Sequence, residues 1–486
     1  MKHRVTAAGL VCLIITQMKR WQVFSLLGVF LVAGLAFGYL WASPSLEGFS
    51  PANQAVDVPA GTPLRLTFSR RMQTDSVTAH LTTQPSVVGN FTWEGNTLVF
   101  TPERPWPNGG TVQVSLAPGS RPEGLLPLPL RGAYAWSFTI GMPRLVYLYP
   151  ANGPADLYSL DLLNGAIQQI SAIPGSVLDF DVVSTGNEIF FNSDQVNGDT
   201  TIYRLDMRTG ETSHLLSCPQ ALCRYLQVSP QGDLLAYERT GLSTSSRPGF
   251  PQVWLLPLSR GAPGERIEIG EPTLAGEDGH QTQQPVWSPD GRLAYYDASL
   301  SAFIILEPTS RSRVEFPSQT GIPGGWSPDG SSYVIPEISE GPPSDPELLP
   351  ELESIPTSHL FSLHLQDGSR LNISQEANVE DTSPAFSPDG SLLAFARKFL
   401  EVSRWTPGRQ LWLMRPDGSQ PRPLTQEPNY NHYDFAWSPL GDRLAYVRFN
   451  KDILIEPPEI WLVEFSSEGP KSTRLITGGY APQWIP

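Results

Sequence analysis

No Gly-x-Ser-x-Gly pentapeptide and no His-Glu-x-x-His pair occurs in this 486-residue sequence. The first absence excludes the nucleophile elbow of an α/β-hydrolase, and the second excludes the helical zinc site of a metalloprotease. Histidine is scarce. The seven, at 3, 80, 214, 280, 359, 364 and 432, are scattered, and His359 and His364, flanking a strand at 360–363, read as surface or rim positions rather than metal ligands. The run from Asp194 to Asp199 carries oxygens but lacks the spaced ligand set that calcium requires, so no metal or other cofactor is expected. Positive charge is also short. With 33 Lys and Arg against 48 Asp and Glu, the net charge is −15, which argues against nucleic acid or anionic lipid as the partner of the main body. Long helical periodicity is missing after residue 42, whereas 48 prolines, 42 glycines and 10% aromatics indicate an all-β chain rich in turns.

Cysteine is limited to Cys12, Cys218 and Cys223. The last two bracket four residues, and outside a membrane they are either a disulfide or two free thiols in a loop. Cys12 lacks the Leu-Ala-Gly setting of a lipoprotein cysteine.

One long apolar run is present. Residues 21–42 carry no charged side chain, and 22 residues at about 1.5 Å each span about 33 Å, enough for a bilayer. Lys2, Arg4, Lys19 and Arg20 precede the run and the next charge is Glu47, so 1–20 are expected to be a cytoplasmic tail and everything from 43 extracytoplasmic. A cleaved signal peptide is the competing reading, but its apolar core is shorter and ends in an Ala-x-Ala-like site that Leu40-Trp41-Ala42 fits poorly. Met18-Lys19-Arg20 would serve as a start of its own.

The C-terminal two-thirds repeat one motif. Val228-Ser-Pro-Gln-Gly232, Trp287-Ser-Pro-Asp-Gly291, Trp326-Ser-Pro-Asp-Gly330, Phe386-Ser-Pro-Asp-Gly390 and Trp437-Ser-Pro-Leu-Gly441 recur at intervals of 59, 39, 60 and 51 residues. Each is followed by a short apolar run such as Leu293-Ala294-Tyr295, which makes each a β-hairpin. Further runs such as Leu411-Trp412-Leu413 and turns such as Pro416-Asp417-Gly418 bring each unit to four strands, the repeat of a propeller blade. Two degenerate units precede at 143–171 and 177–217. The earlier lacks its first strand, and Ala481–Pro486 supplies one. Residues 143–486 therefore read as a β-propeller closed by its C-terminal strand, with seven blades favoured over six or eight and an array of β-sandwiches as the alternative.

These motifs resemble TolB-type and WD-like propeller repeats. That resemblance implies a protein-binding platform or an accessory domain of an enzyme. Before them, residues 43–141 alternate apolar and polar positions (Leu64, Leu66, Phe68; Val112, Val114, Leu116; Trp136, Phe138, Ile140), as a small sandwich does. The order Phe49-Ser-Pro51, Leu66-Thr-Phe68-Ser, Leu98-Val-Phe100-Thr-Pro102 and Trp136-Ser-Phe138-Thr resembles the bacterial Ig-like domain of the S-layer-associated type, which implies a spacer or adhesion module.

The excess length of the repeats lies between second and third strands, at Glu238–Gln252, Pro336–His359, Arg397–Gln410 and Arg448–Glu459. Long loops on one face of a rigid scaffold are where binding resides. Arg397, Lys398, Arg404, Trp405, Arg409 and Arg448 form the candidate interaction face, since Arg and Trp are favoured anchors. The acidic Pro336–His359 stretch contributes to that face, folds over its basic neighbour or is disordered. The expected function is a membrane-anchored, extracytoplasmic binding or scaffold protein, not an enzyme, whose partner is a protein, peptide or glycan of the cell envelope. The rival is a propeller glycoside hydrolase or lyase with carboxylates at the central channel, and a purely structural envelope protein is the third reading.

Overall fold

The computed structural model describes residues 43–485 except 104–105, 108, 125–127, 142, 196–197, 243–248, 260–266 and 344–353. The expected tail at 1–20 and membrane span at 21–42 lie outside the described residues. Among the described residues, no helix is long and apolar enough to cross a membrane. The chain divides into two compact units, the first ending at Ile140 and the second formed chiefly by the residues from Gly141 on.

The first unit is a sandwich of two four-stranded sheets. One pairs Leu46–Ser50, Leu64–Phe68, Thr97–Pro102 and Gly89–Glu94 in that order, and the other pairs Ala55–Val58, Tyr134–Ile140, Thr111–Leu116 and Leu81–Gln84. Alternation sorts the side chains: Leu64, Leu66, Phe68, Val112, Val114 and Phe138 are buried while their neighbours face outward.

The second unit is a run of antiparallel groups of four strands, seven among the described residues and here called blades 1 to 7, with a fifth strand, Thr273–Leu274, added to Pro251–Ser259 in blade 3. Their first strands are Tyr480–Ile485, Val177–Val182, Ala221–Val228, Thr282–Trp287, Gly325–Trp326, Val379–Phe386 and Tyr430–Trp437. Blade 1 draws its first strand from the far end of the chain, with Trp484 opposite Leu145 and Ile485 opposite Arg144. Blades 5 and 6 are also joined through Ser358 and Glu380. First strands contact one another between blades 2, 3 and 4 and between blades 5, 6 and 7, the Trp326 indole bonds Val286 across blades 4 and 5, and 480–485 touches both 430–437 and 177–182, so they form an inner ring.

The repeat motif builds the turn between first and second strands. In blade 5 the Asp329 carboxylate accepts the Ser327 hydroxyl at 2.6 Å and the Ser331 N–H at 3.0 Å, while Gly330 sits at φ 69°. Those bonds hold the Asp329 carboxyl below the usual carboxylate range. The motif aspartate is thus a turn former.

Its tryptophan has a second task. The indole N–H of Trp287 donates to the Gln227 carbonyl, Trp326 to Val286, Trp437 to Ala385 and Trp484 to Ala436, at 2.8 to 3.2 Å. Each acceptor immediately precedes the equivalent motif residue of the blade before. The repeat therefore stitches each such blade to its predecessor while burying an aromatic body between the sheets.

The connections between second and third strands are shorter than the sequence suggested. Strands continue to Gly241, Pro343, Phe399 and Asn450, and resume at Pro251, Ser354, Gln410 and Glu459. The reason is hairpin extension: in Pro336–His359 the arms pair Glu337 with His359 and Ser339 with Thr357, satisfying each other's backbone groups. His359 consequently is not a rim residue. It is buried, its Nε2–H donating to the Ala377 carbonyl and its Nδ1 accepting from Asn372.

Cys218 and Cys223 form a disulfide that ties the outer strand of blade 2 to the inner strand of blade 3. Closing so short a loop stabilises by about 2 kcal/mol through chain entropy. Replacing both cysteines by alanine is expected to lower stability by about that amount, read as a shift in the denaturant midpoint.

Candidate functional site

The structure divides the six predicted face residues into two groups. Arg397 belongs to the core, contrary to expectation: its side chain is 1% exposed, Nε and Nη2 donate to the two Asp381 oxygens at 2.7 and 2.6 Å, and Nη2 also reaches the Ser374 carbonyl. The physical reason is the strand itself, which runs on through Phe399 and turns Arg397 inward while Lys398 points out. Arg448 is also buried. Its guanidinium lies between the rings of Tyr430 and Trp461, at 4.1 and 4.0 Å, and pairs with Glu427 and Glu459.

Lys398, Arg404, Trp405 and Arg409 remain at the surface. Trp405 is 53% exposed, with the Lys398 ammonium 4.9 Å above its ring. Arg404 stacks on Phe399 at 3.9 Å and grips Glu401 with two bonds of 2.8 Å, while Arg409 pairs with Glu380 at 3.0 Å. The described carboxylates that neutralise these arginines come from blades 6 and 7 themselves, not from the acidic stretch of blade 5. In blade 5, Glu337 is buried and accepts the Gln319 N–H.

Glu427 is the hub of the charged cluster at the junction of blades 6 and 7. The His432 ring nitrogen 3.3 Å away, with Arg448 beside it, holds the Glu427 carboxyl down at about 2. A carboxylate whose folded pKa is depressed contributes stability that is present above the ordinary Glu range and is lost as pH falls towards the folded value. The melting temperature is therefore expected to fall between pH 4.5 and about 2, and Glu427→Gln should flatten that slope. Equal slopes in both proteins would contradict the assignment.

A second set of acids lies on the inner ring. Asp179 and Asp181 of blade 2 accept the N–H groups of Leu226 and Val228 of blade 3, both at 2.7 Å. Burial pushes the Asp179 carboxyl up to about 6 and that of Asp181, with Asp179 close by, up to about 8. Asp434 of blade 7 is solvent-exposed yet ringed by protein, and that crowding lifts its carboxyl to about 6, opposed by the Ala481 N–H.

These acids serve a feature the sequence did not reveal. Inner strands carry bulges at Tyr225, Gln284, Ser383, Asp434 and Ala481, all at φ between 51° and 56° and each three residues before the motif position. A bulge frees a backbone N–H, and a carboxylate of the preceding blade takes it: Asp179 that of Leu226, Glu238 that of Gln284, Asp434 that of Ala481. The bulged residues share no type, so only their fixed offset from the motif could have signalled them.

Exposed large apolar side chains are unevenly distributed. Ile453, Leu454 and Ile455, in the connection between second and third strands of blade 7, are 46, 74 and 89% exposed. Val402 and Trp405 occupy the equivalent connection of blade 6, Leu300 that of blade 4 and Phe250 that of blade 3. Among the described residues there is no cluster of three or more His, Cys, Asp or Glu arranged to hold a metal ion.

Comparison with known proteins bears on the first unit by sequence. Residues 42–140 match the bacterial Ig-like domain family. The Ig-like domain accounts for the sandwich and leaves the blades to structural comparison, since no curated protein matches the chain. TolB from Acinetobacter baumannii is 11% identical, with 84% of this chain and 83% of that one covered and a TM-score of 0.42. The β-propeller domain of the Trilobed protease from Pyrococcus furiosus is 12% identical over 76% and 95%, with a TM-score of 0.45. Oligogalacturonate lyase from Vibrio parahaemolyticus is 17% identical over 63% and 74%, with a TM-score of 0.39. The first unit is thus similar to bacterial Ig-like domains, and the blades of the second rest on their own strand pairing.

Proposed function

We propose that this chain is a membrane-anchored, extracytoplasmic binding or scaffold protein: residues 21–42 hold it in the bilayer, and a seven-bladed propeller presents a loop face to a protein or peptide of the cell envelope. The observation that carries the reading is the exposed Ile453-Leu454-Ile455 tip, with Val402 and Trp405 on the neighbouring blade. Consecutive aliphatic side chains open to water cost free energy, and in soluble domains such patches mark surfaces that are covered in use. The arginines around them are already paired, so apolar contact is the expected source of affinity and the pairs orient the partner.

Crosslinking of the full-length protein in its own envelope tests this. Leu454→Ser with Ile455→Ser is expected to lose at least ten-fold of the partner captured by the wild type, at unchanged melting temperature. Equal capture would sink the proposal.

A second reading rests on Asp179 and Asp181, two acids with raised pKa on the inner ring. Such pairs suit general acid chemistry in a glycoside hydrolase or lyase. Their hydrogen bonds to blade 3 supply a structural reason for the same burial, which is why binding is preferred. Asp181→Asn discriminates, because the amide keeps an acceptor for Val228: a glycan-cleaving activity abolished by this change would favour the enzyme.

A further inference from the structure

Blade 6 contains a cavity of about 300 Å³ on the side where its loop emerges. Phe399, Trp412, Pro423 and Pro428 supply apolar walls, and it opens to solvent past Gln426 and Arg404. The volume lies at the low end of ligand pockets, roughly 300–1,000 Å³. It fits one large side chain.

The polar groups around it have their partners. The Gln410 amide donates to the Glu427 and Tyr430 carbonyls and accepts from Glu427 N–H and the Thr425 hydroxyl, and the Thr406 hydroxyl donates to the Gly408 carbonyl. A polar ligand would therefore be desolvated with little hydrogen bonding in return. Charge is balanced as well. Two guanidiniums, Arg397 and Arg404, border the cavity, and three carboxylates, Asp381, Glu401 and Glu376, neutralise them. The slight carboxylate excess disfavours an anion, and the guanidiniums at the wall disfavour a cation.

The wall is preformed. Arg404 is stacked on Phe399, Phe399 and Trp405 bridge the loop back onto its strand, and the Gly408 backbone passes so close to Tyr430 that an added Cβ would stand 2.0 Å from its carbonyl oxygen. A fixed pocket spares the ordering cost of binding.

We propose that this cavity receives an uncharged aromatic side chain of the partner peptide. The occupant is a peptide because Trp405 and Val402, both exposed, lie on the same loop as the mouth-lining Arg404 and extend the apolar surface beyond one side chain. The proposal deepens the loop-face reading and rests on it for the identity of the partner, yet its test needs no partner.

Full-length protein is titrated with N-acetyl-phenylalanine amide, N-acetyl-phenylalanine and octanamide, followed by saturation-transfer NMR. The amide is expected to bind saturably, the carboxylate at least five-fold more weakly, and Gln426→Trp, which plugs the mouth from an exposed position, should weaken the amide at least ten-fold at unchanged melting temperature. No saturable binding, equal binding of the carboxylate, or indifference to the plug would overturn the proposal. Preference for octanamide over the aromatic amide would also overturn it, by assigning the cavity to an acyl chain. Intact amide binding in the Leu454→Ser, Ile455→Ser protein together with unchanged partner capture would locate the failure in the loop face rather than in the cavity.

Discussion

Asp381→Ala is expected to cost about 3–5 kcal/mol of stability, because it strands a buried guanidinium. Asp381 and Arg397 are both almost wholly excluded from water and are joined by two hydrogen bonds, and the guanidinium is covered by Phe395 and Trp412 at 4.9 and 5.2 Å. Burial pushes the Asp381 carboxyl up even with Arg397 beside it, so the pair sits close to the balance between desolvation and attraction. Removing one partner leaves the desolvation and abolishes the attraction. Replacing both, as Asp381→Leu with Arg397→Met, should recover most of the loss. Thermal or urea unfolding of the three proteins checks this, and a double variant as unstable as the single one would show that the pair stabilises on its own account.

Removal of residues 480–486 is expected to have the largest effect. It strips the inner strand from blade 1, leaves the edge of Arg144–Tyr149 unpaired, and deletes Trp484 and Ile485 from the clusters that join blade 1 to blades 7 and 2. An uncovered edge of that kind recruits other chains. The truncated protein should lose its cooperative melt and elute as aggregate in size-exclusion chromatography. Trp484→Ala alone should cost about 3–5 kcal/mol, the range for a buried aromatic, and remain monomeric. A truncated chain that melts and elutes like the wild type would mean that the ring does not depend on this closure.

The hairpins were legible in the sequence because proline, aspartate and glycine each have a local conformational reason to occupy their places, and Gly330 and its equivalents adopt the positive φ that reading requires. Closure by the last strand was legible too, since the truncated copy at Trp484 matches only an inner strand. The candidate face was legible in part. Arg397 and Lys398 are adjacent in sequence and look like one basic patch, although extending the alternation of Leu393-Ala394-Phe395-Ala396 by one step already separates them onto opposite faces. What could not be read is anything that depends on a neighbouring blade: the carbonyls that take the tryptophan N–H groups and the carboxylates that take the bulge N–H groups. Those partners lie dozens of residues away.

The joints between blades are consequently not equal. Blades 4, 5, 7 and 1 each hold the preceding blade by an indole that no pH change reaches. Between blades 2 and 3 the motif position is Val228, and Asp179, Asp181 and the disulfide join the bonds of Asn192 and Thr200 to the 221–223 backbone in holding the joint. Mechanically, a closed ring under tension parts at one place and the rest of the circle relaxes as an arc. In an alkaline, reducing medium, where both carboxyls are ionised and the disulfide is open, the joint between blades 2 and 3 is the one whose fastenings weaken.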